Sequence, residues 1–146
     1  LSAAHVVVIP TRNAAEGIAA LLSWDPSLTL EELVPRMEAA RAAARTFRVV
    51  EAVRDAVVRG VAVKAGQIMA LDPVDGIIAT GATDVESIVA ALAGQSAELI
   101  TLYVGADVSE EQATEFVSAV RGAIAGVEVD LQRGGQPIER VLVSLE

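Results

Sequence analysis

The chain has no cysteine and only one histidine (His5), one lysine (Lys64), one tryptophan and one tyrosine among its 146 residues. Each scarcity removes a class of chemistry. Without cysteine there is no disulfide, thiolate nucleophile or sulfur-ligated metal, a composition at home in a reducing, cytoplasmic compartment. With a single histidine, a metal site built on two imidazoles is excluded. A Ser-His pair would have to use His5, and no Gly-x-Ser-x-Gly elbow presents a nucleophile. The Gly-x4-Gly-Lys signature of a phosphate-binding loop is absent too. No uninterrupted apolar run approaches the ~20 residues of a membrane-spanning helix. The mean hydropathy of +0.49 therefore reflects a core of small aliphatic side chains with few rings. No basic-then-apolar leader opens the chain, and Leu1-Ser2-Ala3 in place of an initiator methionine reads as the start of a fragment of something longer.

One further absence is regional. Between Lys64 and Arg121 lie nine carboxylates (Asp72, Asp75, Asp84, Glu86, Glu98, Asp107, Glu110, Glu111 and Glu115) and no lysine, arginine or histidine. That stretch holds the whole formal charge of -9, because the other residues carry eleven acids against eleven bases. An electronegative face is expected, which attracts basic partners and repels nucleic acid and other phosphates. Local structure accounts for six of the nine: Asp84, Glu86, Glu110 and Glu111 fall in first helical turns, where the helix dipole favours acids, and Asp72 and Asp75 are turn formers. Asp72, Asp75 and Asp107 lack the spacing of a calcium loop, and no metal or other cofactor is assigned to this segment.

The patterning predicts an α/β fold, a mixed β-sheet flanked by helices. Four helix starts are readable as a capping residue with an acid or amide three positions on: Asn13 with Glu16, Thr29 with Glu32, Thr83 with Glu86 and Ser109 with Gln112. Each introduces an amphipathic run, and Pro35 should kink the second. Strands are expected over residues 5–9, 47–53, 61–63, 67–71, 77–80, 99–104, 127–131 and 138–145. Asp72-Pro-Val-Asp-Gly76 makes residues 67–80 a hairpin, and strand-helix-strand from Leu99 to Leu131 predicts a parallel crossover. The segment from Val63 to Met69 has the sound of a biotinyl hairpin but lacks a lysine in the turn, and reads as a structural turn entering a strand.

Six words of the sequence, in order over nearly the whole chain, resemble the C-terminal region of the dihydroxyacetone-kinase-like subunit of bacterial fatty acid kinase, the FakA family. They are Val6-Val-Val-Ile-Pro-Thr11, Gly17-Ile-Ala-Ala-Leu-Leu22, Ala52-Val-Arg-Asp55, Lys64-Ala-Gly66 with Met69, Tyr103-Val-Gly-Ala-Asp-Val-Ser-Glu-Glu111 and Gly134-Gly-Gln-Pro137. The order of elements is also similar to the second half of DegV-like fatty-acid-binding proteins. The resemblance implies a DegV-like C-terminal lobe over residues 48–146, preceded by the terminal strand and helices of a first lobe over residues 1–47. Gly134 to Pro137 falls where those binders carry a His-Thr-Gly-Pro-Gly loop that helps hold the fatty acid carboxylate, and here the histidine and threonine are missing.

The resemblance further implies a division of labour. Nucleotide and Mg²⁺ belong to an upstream kinase domain of the parent chain, and catalytic residues to a central domain, so none is expected here. The C-terminal region engages the DegV-like fatty-acid-binding protein that presents the acyl carboxylate for phosphorylation. The expected contact residues are Asp107, Glu110, Glu111 and Glu115, on the acidic stretch, and the loop Gly134, Gly135, Gln136 and Pro137, which reads either as a tight connection or as a backbone rim. Arg54 and Asp55, adjacent at a strand end, read as an ion pair ordering the neighbouring turn, with binding as the other reading. A small-molecule module that itself holds a fatty acid between strands and helices is the alternative function.

Overall fold

A computed structural model describes residues 4–146, which separate into two compact units with the division between Arg45 and Thr46. The first unit contains α1 (Ala14–Leu22) and α2 (Leu30–Ala43). The expected caps form. Asn13 accepts from the Glu16 amide, and Thr29 and Glu32 close a reciprocal capping box, satisfying amides that the first turn leaves without intrahelical partners. The two helices are tied by Glu16, whose fully buried carboxylate accepts from the backbone amide and Nε of Arg12 and lies 3.8 Å from the Arg41 guanidinium. A carboxylate buried this deeply is tolerated because arginine charge and hydrogen bonds surround it.

Two expectations for this unit are corrected. Residues 5–9 form no strand: no strand among the described residues pairs with them, and Val6 and Val8 remain 77% exposed. An apolar run supplies strand propensity, but a strand exists only where a neighbour completes its hydrogen bonds. The second helix, continuous through Pro35, is only weakly amphipathic and buries no residue fully.

The second unit is a mixed six-stranded sheet with the order β5-β4-β1-β8-β6-β7. Its strands are β1 (Arg45–Glu51), β4 (Ile68–Asp72), β5 (Gly76–Gly81), β6 (Leu99–Val104), β7 (Glu128–Arg133) and β8 (Val141–Leu145), and β2 (Ala56–Val58) and β3 (Val61–Val63) form a separate ribbon. The expected hairpin is present as β4-β5, with Asp72 Oδ1 accepting from the Val74 and Asp75 amides in its turn. Its register shifts between Ala70 and Leu71, so that Ile78 has no opposite residue, a β-bulge. The crossover is also present: β6 and β7 are parallel, joined by α4 (Glu110–Ala123), while β8 lies antiparallel to β6 on its other side. Of the β2-β3 ribbon, only the second strand is among those expected. The ribbon turns through Arg59 and Gly60 at φ of 48° and 86°, the conformation two-residue hairpin loops require.

Helices α3 (Asp84–Leu92) and α4 pack together, α3 over β4 and β5 and α4 over β6 and β7. Thr83 caps α3, and Ser109 with Gln112 closes a second capping box at the start of α4. Beneath them lies the main core: Phe47 and Val49 of β1, Ile100, Leu102 and Val104 of β6, Val141, Val143 and Leu145 of β8, and Ile88, Leu92, Phe116 and Val120 from the helices. A smaller cluster of Val50, Ala52, Val63 and Met69 joins β1 and β4 to the ribbon. Phe116, 1% exposed, is the largest of the fully buried side chains. Phe116→Ala is expected to cost ~3–5 kcal/mol through lost burial and the cavity left behind, measured as a lowered urea midpoint with an unchanged slope.

Candidate functional site

The sheet register gathers the sequence-predicted contact residues at one end. Glu51 of β1 lies opposite Ile68, which lies opposite Gly81, and Val104 lies opposite both Arg133 and Val141. Arg140 joins these two sets. Its amide donates to the Val49 carbonyl, its carbonyl accepts from the Gly105 amide, and its guanidinium grips Asp84 at the start of α3 at 2.9 to 3.3 Å. Past this end lie Arg54 and Asp55, the loop 105–109 entering α4, and the loop 134–140. The ends of two parallel strands with their following loops are a recurrent location for sites in open α/β sheets.

The two loops brace one another. The amides of Gly134 and Gly135 both donate to the Val104 carbonyl, the Ala106 amide donates to the Gln136 carbonyl, and Gln136 Nε2 donates to the Tyr103 carbonyl at 2.7 Å. Gly135 takes a φ of 71°, as a tight connection needs, while Gly134 does not have positive φ. Gly105 is there for space: a Cβ would overlap the Glu139 carbonyl oxygen and lie 3.0 Å from that of Gln136. With both glycine amides already bonded inward, this loop functions as a brace and does not offer those amides to an anion.

Among the acids, position decides availability. Asp84 is held by Arg140, whose guanidinium is stabilised in its charged form chiefly by that hydrogen bond, against burial, with further support from the charges of Asp84, Glu51 and Asp107. Glu110 pairs with Arg133, which also donates to the Val108 carbonyl. Glu86 caps the Ala82 amide. Glu86, Asp107, Glu111 and Glu115 are exposed and have no ion-pair partner among the described residues. Glu115 stands at a cleft of about 300 Å³ with Asp84, Gln112, Thr83, Ile68 and Phe116. The remaining acids of the base-free stretch, Asp72, Asp75 and Glu98, lie at the opposite end of the sheet, in the β4-β5 turn and just before β6. The expected single electronegative face is therefore divided between two ends. The two arginines that neutralise part of it, Arg133 and Arg140, lie outside the stretch in sequence, and only the fold brings them to it.

Arg54 and Asp55 are not an ion pair. Asp55 binds Lys64 Nζ at 2.7 Å and accepts from the Ala65 amide at 3.0 Å, locking the two ends of the β2-β3 ribbon together. Arg54, in the bend between β1 and β2, is exposed and has no ion-pair partner among the described residues. The Lys64 hydrogen bond, with the Ala65 amide second, holds the Asp55 carboxyl below its ordinary value of 3.8. Tyr103 is pushed up, first by burial and then by the charges of Glu146 and Asp130. No group of three acidic, histidine or cysteine side chains that could hold a metal occurs among the described residues, and none of their helices is long and apolar enough to cross a membrane.

Comparison with known proteins gives a match over residues 1–146 to the FakA-like C-terminal family of fatty acid kinase. Among curated relatives, the uncharacterized protein SH1689 of Staphylococcus haemolyticus is 34% identical over 98% of this chain and 26% of its own length. The uncharacterized proteins SSP1546 of Staphylococcus saprophyticus and SAUSA300_1119 of Staphylococcus aureus are 31% and 29% identical over the same shares. The chain thus spans about a quarter of the length of the curated relatives it matches. A similar solved structure is the Streptococcus pneumoniae fatty acid kinase B3 protein loaded with linoleic acid, at 13% identity and a TM-score of 0.48, covering 82% of this chain and 50% of that one.

Two outcomes follow from this geometry. Gly105→Ala should cost ~1–3 kcal/mol by forcing the braced loops apart, seen as a lower melting temperature with lost amide protection at Ala106 and Gly134. Because the Asp55 carboxyl is lowered on folding, its contribution is complete above its ordinary value and lost as pH falls through the folded one. An NMR titration should therefore place its midpoint below 3.8, and Lys64→Ala should move that midpoint upward.

Proposed function

This chain belongs to the FakA-like C-terminal family of fatty acid kinase, and from that membership we propose that it is a non-catalytic docking segment for a fatty-acid-binding protein. The bound partner presents its acyl carboxylate to kinase machinery carried elsewhere in the parent protein, where phosphoryl transfer yields an acyl phosphate. The observation that carries this reading is the set of four unneutralised carboxylates, Glu86, Asp107, Glu111 and Glu115, at the sheet end where the braced loops lie.

Acids in this number, on elements fixed by caps and backbone bonds, suit recognition of a basic protein surface. Such a field acts mostly on the rate of encounter and is weakened by salt. Glu111 and Glu115 stand one helical turn apart on α4 and form the most compact part of the charge. Glu110, matched by Arg133, contributes less to the net field. Residues 1–47 and 48–146 are read as the end of one DegV-like lobe and the whole of a second, and the place of action as the cytoplasm.

Replacing Glu111 and Glu115 together by lysine should slow association with the fatty-acid-binding protein by about tenfold at low ionic strength, within the range over which related complexes vary. The wild-type association rate should also fall as salt is raised. Stopped-flow measurement of both would sink the reading if the rate were insensitive to salt and to charge reversal alike.

A further inference from the structure

Besides its charges, the same end of the sheet displays large apolar side chains to water, the most exposed being Val53, at 92%, and Ile138, at 79%, ahead of Val57 of the ribbon at 70%. A single exposed aliphatic residue is ordinary. What distinguishes these two is how firmly their backbone is held. Val53 follows Ala52, whose amide donates to the Gln67 carbonyl and whose carbonyl accepts from the Gly66 amide, and it precedes Asp55, pinned to Lys64 and Ala65. Ile138 lies between Gln136, bonded to Tyr103 and Ala106, and Arg140, bonded to Val49, Gly105 and Asp84. Pro137 fixes a further backbone angle between those anchors.

We infer that Val53 and Ile138 are the apolar anchors of the docking surface, and that they seat in an apolar depression ringed by lysine and arginine on a folded partner. This rests on the docking reading above and assigns a second role within it. The unpaired carboxylates bring the partner in, and the two aliphatic side chains hold it. Both residues are β-branched with few rotamers and sit on braced backbone, so little conformational entropy remains to be lost when they are buried. Charge complementarity chooses the occupant: the four exposed carboxylates without ion-pair partners outnumber the one such cation at this end, Arg54 beside Val53, and so call for a basic rim, while the exposed apolar side chains call for a non-polar centre.

The test measures association and dissociation separately between the full chain and the fatty-acid-binding protein of the same organism, loaded with fatty acid. The double variant Val53→Ser with Ile138→Ser carries no charge change and alters only exposed positions, and an unchanged melting temperature confirms its fold. It should raise the dissociation rate by at least about tenfold while leaving association within about twofold, the signature of lost anchor contacts. Ile138→Leu should retain slow dissociation. If the serine variant dissociates like wild type while lysine at Glu111 and Glu115 still slows association, the anchors are misassigned and docking stands. If the unmodified chain does not bind the partner at any salt concentration, the docking reading itself fails, and this inference with it.

Discussion

Arg140 is the residue on which the site depends. Its main chain fastens the start of β8 to β1 on one side and to the end of β6 on the other, and its guanidinium clamps the first turn of α3 through Asp84. Four elements are thus oriented by one side chain and its own peptide groups. The pair is mostly out of solvent, with 25% and 11% of the two side chains exposed. Removing either member would leave the other as an uncompensated charge in a poorly hydrated place, a far larger penalty than the net value of the pair. Because the clamp holds α3 against the sheet end, it also fixes where Glu86 can stand relative to the loops.

Charge along a chain and charge in space are different quantities here. The uninterrupted acidic stretch is cut by the sheet itself, since β4 and β6 each carry acids at one end and their continuations carry others at the opposite end. Arg133 and Arg140 then return positive charge to the end that holds most of the acids. What is left is smaller than the sequence suggests but better defined: four carboxylates on capped helices and a braced loop. A compact field of this kind is easier to match with a complementary surface than a diffuse one of larger total charge.

Local signals in the sequence are reliable wherever a side chain acts within a few residues of itself. All four caps, the Asp72 turn and the β6-α4-β7 unit are present as read, because each is decided by hydrogen bonds or periodicity inside one short segment. Non-local pairing is where reading fails. Residues 5–9 have strand composition but no ladder partner among the described residues, and Asp55 bonds a lysine nine positions away in place of its neighbour. The β2-β3 ribbon is legible in principle, as Arg59-Gly60 between two valine-rich triplets. The positions of Arg133 and Arg140 beside the acids are not, since nothing local to either residue specifies which distant strand end it will meet.

The placement of β8 has a consequence for how the sheet comes into being. This strand lies between β1 and β6, yet in chain order it follows every other strand. Without residues 141–145, β5-β4-β1 and β6-β7 have no strand between them to join them into one sheet. Joining them is then a long-range closure, slow by comparison with the hairpins and crossover that precede it. During synthesis the partly made chain presents two sticky edges to its surroundings, and a chaperone that shields strand edges would have its moment of use just before β8 docks.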